Sequence, residues 1–254
     1  MRIDRTGETN NNNFGSEMTI IRYKNKEDID IYFSDYDWTF EHAKYINFKN
    51  GKIKCPYEPR YRNKGYLGEG QYKSSIKGKS TKSFQTWNGM LERCYDIKYQ
   101  TKQPTYVDCT VCDEWLNFQN FAKWYDNNYY HIDGEKMCLD KDILIKNNKI
   151  YSPDTCIIVP ESINLLFVKA NNLRSEYPIG VYYNSKNNKL IARCDIRGKK
   201  IHLGCFELNQ IEEAFLAYKT FKENHIKRIA DEYKDLIPER LYNAMYEYEV
   251  EITD

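Results

Sequence analysis

The sequence predicts an α+β fold in several small domains, and three patterns predict it. Alternating strands open the chain, aromatic-rich helices lead its middle, and three strands followed by one helix close it. A length of 254 residues accommodates two or three separate cores.

Residues 1–17, with Thr9 and the asparagines up to Asn13 followed by Gly15 and Ser16, read as a polar arm. Met18 to Tyr23 and Ile29 to Phe33 read as strands, and Tyr45 to Cys55 as a hairpin turning at Asn50-Gly51. Residues 18–58 thus form a small β-rich domain, and the first domain, 1–78, ends in a basic, tyrosine-rich loop. Between Lys49 and Lys82 stand ten Lys or Arg against only Glu58 and Glu69. The glycines at 65, 68 and 70 lack the Gly-Lys-Ser/Thr of a phosphate loop at the required offset. Tyr57, Tyr61, Tyr66 and Tyr72 among these cations suit either a nucleic-acid surface or a solvated linker.

In the second domain, 79–170, Phe84, Trp87, Met90, Leu91 and Cys94 recur at helical spacing behind Ser83 as N-cap. Asp113 opens a second such run through Trp115, Phe118, Phe121 and Ala122 to Tyr125. The two helices are expected to share a core. From Leu139 to Asn164 the order is strand, turn, strand, helix. The first strand ends near Asp140, the turn lies at Asn147-Asn148, the second strand runs from Cys156 to Val159, and the helix opens after Pro160.

The third domain, 171–254, carries the clearest pattern. Leu190, Ala192, Cys194 and Ile196 alternate with Ile191, Arg193, Asp195 and Arg197, the period of a half-buried strand. Gly198 allows a tight turn. Ile211, Ala214, Phe215, Tyr218, Phe221 and Ile229 mark a helix whose stripe covers the apolar sheet face. Cations outnumber acids seven to two between Asn171 and Gly204, while eight acids between Asp231 and Asp254 form an acidic tail.

This last segment resembles the plant ethylene-response-factor (AP-two) DNA-binding domain over about sixty residues. The likeness rests on Gly180-Val181, on Leu203-Gly204-Cys205-Phe206, and on Glu213-Ala214 followed by Ala217-Tyr218. Members of that family lay the sheet in the DNA major groove. The resemblance therefore implies that Tyr183, Arg193, Arg197, Lys199, Lys200 and His202 face DNA. A sheet fits that groove, and Arg is the commonest reader of guanine.

The run from Trp87 to Asn164, with Glu92-Arg-Cys-Tyr95, Trp115 and Tyr151-Ser-Pro-Asp-Thr-Cys156, is similar to phage-borne HNH (ββα-metal) endonucleases. Many of those carry an AP-two-like domain downstream. By this likeness Asp140 matches the metal-binding acid and Asn164 the final ligand. Lys141 stands where the general-base His belongs, and Thr155 stands in place of the middle Asn. His131 lies nine residues before Asp140, too far to substitute without a rearranged loop. Phosphodiester hydrolysis needs a base and a divalent cation. Asp140, Asp142 and Asn164 would hold Mg²⁺ or Mn²⁺ as oxygen ligands, and Lys141 would have to act as base.

The net charge of +1 says nothing about nucleic acid. No signal-peptide pattern and no long apolar run is present, so the expectation is a cytosolic protein without a membrane partner. In that compartment the eight cysteines are expected as free thiols. Cys109 and Cys112 have zinc spacing, but only the distant Cys138 and Cys156 could complete the set, and structural Zn²⁺ is not expected. Three functions fit these patterns: a divergent metal-dependent nuclease, a non-catalytic DNA-binding or regulatory protein, and an interaction protein that inhibits a host factor. Double-stranded DNA is the expected partner of the first two, a host protein of the third.

Overall fold

In the computed structural model, residues 3–168 and 176–254 are described. The fold is α+β, and the chain divides into two compact units, residues 1–129 with 149–154, and residues 130–148 with 155–254. The expected boundary between 170 and 171 lies outside the described residues. The second unit nevertheless takes in both the strand–strand–helix segment and the C-terminal sheet.

In the first unit β1 (Thr9–Asn11), β2 (Glu17–Asn25), β3 (Asp28–Phe33) and β4 (Trp38–Ala43) form an antiparallel sheet in chain order. Residues 9–11 are therefore a strand rather than a polar arm. Asn12 is buried, and its Oδ1 accepts the N–H groups of Phe14 and Ser16, each at 3.0 Å, which closes the turn into β2. The expected hairpin at Asn50-Gly51 is instead a short helix, α1 (Tyr45–Lys49). Gly51, at φ 63°, ends it, and the Gly51 carbonyl accepts the Asn13 N–H at 2.8 Å. Met18, Ile20, Ile29, Ile31, Phe33 and Phe48 fill this core.

An exposed two-stranded hairpin follows, β5 (Ser75–Ile76) and β6 (Lys79–Ser80). The helix α2 (Lys82–Tyr95) is capped by Thr81, two residues before the expected Ser83, with its hydroxyl accepting from the Phe84 N–H at 3.4 Å. After α3 (Ile97–Lys102) and β7 (Thr110–Val111), the run from Asp113 breaks into α4 (Asp113–Leu116) and α5 (Phe118–Asn128). Asn117, not Asp113, caps the longer piece, accepting from the Gln119 N–H at 2.9 Å. Trp87 donates from Nε1 to the Trp115 carbonyl at 2.7 Å and packs on Phe118, so α2 and α5 share one core as their spacing predicts. The glycine-spaced segment serves that core. A Cβ on Gly65 would meet the Leu91 and Trp87 side chains at 2.4 and 2.7 Å, and Tyr61 packs edge-on against Trp87.

The second unit begins with β8 (Met137–Asp140). The chain then returns to the first unit as β9 (Ile150–Tyr151), parallel to β7, before β10 (Ile157–Pro160) pairs antiparallel with β8 from Ile157↔Asp140 to Pro160↔Met137. The helix opening after Pro160 is short, α6 (Glu161–Asn164). Next come β11 (Val181–Asn184), β12 (Lys189–Ile196) and β13 (Lys199–Phe206), an antiparallel sheet in chain order, then α7 (Ile211–Tyr233) and α8 (Glu239–Tyr246).

The helix α7 is the spine of this unit. Ala214, Phe215 and Tyr218 pack under the sheet with Val181, Leu190 and Cys194. Ile226, Ile229 and Ala230 pack instead with Ile143, Ile157, Val159 and Ile163 of the strand–strand–helix segment, and with Leu241 and Met245 of α8. Ile229 thus belongs to a different core from the sheet-covering stripe it was expected to extend. The acidic stretch from Asp231 is not a tail. It holds α8, its Leu241 and Met245 are buried, and buried Asp254 meets Lys146 at 2.8 Å. Among the described residues no helix is long and apolar enough to cross a membrane.

Candidate nucleic-acid interface

Residues opposite one another across an antiparallel ladder point to the same side of the sheet. The pairs Leu190↔Phe206, Ala192↔Gly204 and Cys194↔Ile201 therefore face α7. The pairs Ile191↔Cys205, Arg193↔His202 and Asp195↔Lys200 face away from it. Tyr182, opposite Ile191, joins this outer face. The Arg193 guanidinium lies over the Tyr182 ring, 4.6 Å from its centroid. Lys200 and His202 are exposed. Among the described residues, Lys189 pairs with Glu207 at 2.9 Å, whereas Arg193 and Lys200 pair with no acid. Asp195, opposite Lys200, accepts the Gly198 N–H at 2.9 Å and so braces the turn.

Three of the six expected contact residues share this face: Arg193, Lys200 and His202. The other three stand elsewhere. Tyr183 pairs with Leu190, so its register is that of the helix side, and its hydroxyl donates to Asn188 Oδ1 at 2.9 Å. Lys199 pairs with Ile196, again in the helix-side register, and is exposed at the hairpin end. Arg197 occupies the two-residue turn with Gly198, at φ 51° and 79°. The residue that sequence reasoning missed is Tyr182. The available signal was Val181. A Cβ on Gly180 would lie 2.1 Å from the Tyr218 ring, so this strand is pressed onto α7 and apolar Val181 takes the inward position. Its neighbour Tyr182 must then point outward.

The Asp140 segment is built differently. Asp140 ends β8, and its Oδ1 accepts the N–H groups of Asp142 and Ile143, each at 2.7 Å. Burial pushes this carboxyl above the ordinary Asp value, although the two N–H donors pull the other way. Lys141 is buried. Its Nζ donates to both Asp142 oxygens, at 2.7 and 2.8 Å, and to the Asn148 carbonyl at 2.6 Å. The Asn148 side chain donates back to the Lys141 carbonyl at 2.9 Å, and Asn147 turns the loop at φ 62°. Together these contacts tie the loop from 141 to 148 shut.

The expected site residues are thus only partly gathered. Asp140, Lys141 and Asp142 are adjacent, but Asn164 ends α6 and, among the described residues, shares no hydrogen bond with any of them. His131 is exposed and pairs with Asp133 at 3.1 Å. This donor set does not fit Mg²⁺ or Mn²⁺, because the Lys141 amine takes the place beside Asp142 where a cation would sit.

All eight cysteines are free thiols; Cys109 and Cys112 lie in the first unit, Cys138 and Cys156 in the second. Sequence reasoning also passed over Asp28, Asp30 and His42, whose ligand atoms lie within 4.8 Å of one another. Protein cations already serve those acids. Arg22 meets Asp28 at 3.1 Å and also pairs with Asp30, Lys24 meets Asp28 at 3.2 Å, and His42 meets Asp28 at 2.9 Å. The His42 and Lys24 hydrogen bonds hold the Asp28 carboxyl down at about 2.

No family model, no curated protein and no solved structure matches this chain.

Proposed function

We propose that the chain binds duplex DNA through the outer face of β11, β12 and β13, as a binding or regulatory protein that does not cut it. The observation that carries this reading is the alignment of Arg193, lying over the Tyr182 ring, with Lys200 and His202 on one solvent-facing side, where Arg193 and Lys200 meet no protein acid among the described residues. A guanidinium held over a ring loses little freedom when it forms bidentate bonds to guanine or phosphate. Lys200 supplies a mobile charge suited to phosphate. A mobility-shift titration of a duplex across salt concentrations tests the proposal. Binding with a steep salt dependence, weakened in Arg193→Ala with Lys200→Ala, supports it. No shift at low salt sinks it.

Metal-dependent nicking is the second reading. It is favoured by one feature, the antiparallel β8 and β10 with Asp140 at the strand end and α6 beginning directly after Pro160. Against it stands the engagement of Lys141 and Asp142 with each other. Supercoiled plasmid incubated with Mg²⁺, with Mn²⁺ and with EDTA separates the two. Shifted but uncut DNA is the expected outcome, and metal-dependent nicking abolished by Asp140→Ala would reverse the order of the readings.

A further inference from the structure

The tip of the β5–β6 hairpin repeats the tip of the β12–β13 hairpin. In the C-terminal sheet Ile196 and Lys199 pair across the two-residue turn Arg197-Gly198. In the first unit Ile76 and Lys79 pair across the two-residue turn Lys77-Gly78. Both turns place two successive residues in the left-handed region, at φ 51° and 79° for Arg197 and Gly198, and at φ 50° and 77° for Lys77 and Gly78. That is the hairpin turn whose first position ordinarily selects Asn, Asp or Gly. A residue with a Cβ is disfavoured there by contact with its own carbonyl oxygen. Both hairpins carry one.

The setting of the isoleucines differs. Ile196 packs with the sheet core beneath it, whereas Ile76 is 58 % exposed at the hairpin end. Every residue from Ser75 to Ser80 is exposed, so no core explains why this hairpin is ordered as it is. Its anchor is local. The Thr81 N–H donates to the Ser74 carbonyl at 3.0 Å, and the Thr81 hydroxyl to the Lys73 carbonyl at 3.0 Å, which fixes the hairpin to the start of α2. From Gln71 to Lys82 there are four lysines (Lys73, Lys77, Lys79 and Lys82) and no acid.

We infer that this hairpin is a second, sequence-independent duplex-DNA contact, its lysines neutralising backbone phosphates and Ile76 pressing on sugars or base edges in a groove. The inference rests on the proposal that DNA is the partner, and it adds a separate surface on the first unit. The two kinds of side chain act through different terms. Each lysine on a phosphate releases a counterion and steepens the salt dependence, whereas an apolar contact changes affinity without changing that slope.

The test uses the full chain, a 30-base-pair duplex of mixed sequence, and binding measured by fluorescence anisotropy from low to moderate salt. Lys77→Ser with Lys79→Ser is expected to reduce the slope of log affinity against log salt by about 2. Ile76→Ser is expected to weaken binding severalfold at an unchanged slope. All three positions are exposed, so the variants keep the fold. A Lys77→Ser, Lys79→Ser protein with unaltered slope and affinity overturns the inference, and does so alone if Arg193→Ala with Lys200→Ala still weakens binding. The converse pattern, loss with the hairpin variant and none with the sheet variant, supports the hairpin and overturns the sheet. A wild-type chain that binds no duplex overturns both.

Discussion

Charged residues are placed in opposite ways in the Asp140 loop and on the outer face of the C-terminal sheet. In the loop, Lys141 and Asp142 satisfy each other, and the Asp140 carboxylate closes its own turn. On the sheet, Arg193 lies over a ring and meets no acid among the described residues, and Lys200 and His202 face solvent. Residue types suited to chemistry occur in both places. On the sheet, unlike the loop, Arg193 and Lys200 keep donors that no protein acid takes up among the described residues, and that difference supports the proposed binding surface.

The largest expected effect tests how far the two regions are one body. Both hang from α7, so Leu241→Ala or Ile226→Ala, each emptying a fully buried position, should cost about 3 kcal/mol. Urea unfolding followed by tyrosine fluorescence should show a single shifted transition for the second unit. Separate transitions for the sheet and for the strand–strand–helix segment would break the spine.

Next, Arg193→Ala with Lys200→Ala should lower duplex affinity at least tenfold, flatten its salt slope by about 2, and leave stability within about 0.5 kcal/mol. Lys141→Ala should do the reverse. It removes the amine that donates to the Asn148 carbonyl and to the partly exposed Asp142, which should cost about 1–2 kcal/mol in urea unfolding and leave DNA affinity unchanged. Equal effects of both variants on affinity would erase the contrast between the two regions.

The smallest effect is a pH dependence. Because burial raises the Asp140 carboxyl pKa, the folded chain binds this proton more tightly than the unfolded one. The resulting stabilisation is present below the ordinary Asp value and is lost as pH rises through the higher folded value. Asp140→Asn keeps an oxygen for both N–H donors without the charge. It should therefore be more stable than the native chain at pH 7, with the difference vanishing near pH 3. A native chain that gains stability relative to Asp140→Asn as pH rises would contradict the assigned direction.

Local pattern accounted for most elements that pack on themselves. Strands β2, β3, β12 and β13 announced themselves by alternation or by apolar runs, and α2 and α5 by aromatics at helical spacing. Short-range competition accounts for the misses. At Tyr45–Lys49 a helix replaces a strand because the chain closes on Gly51 there, and at Asn117 a side-chain cap splits one helical run into two. Tyr183 is expected on the outer face where Tyr182 is found, because a strand displaced by one residue reverses every side chain, and the pairing with β12 fixes that parity.

By itself, then, the sequence determined the fold class, the strand–strand–helix order around Asp140 and Pro160, and the basic C-terminal sheet with its covering helix. Tertiary structure alone decided that the far half of α7 and the acidic C-terminal stretch build one core with the Asp140 segment, and that Lys141 is engaged with Asp142 and Asn148. Periodicity records which face of an element is apolar, but the surface that face meets, and the acceptor a buried amine finds, depend on residues far away in the chain.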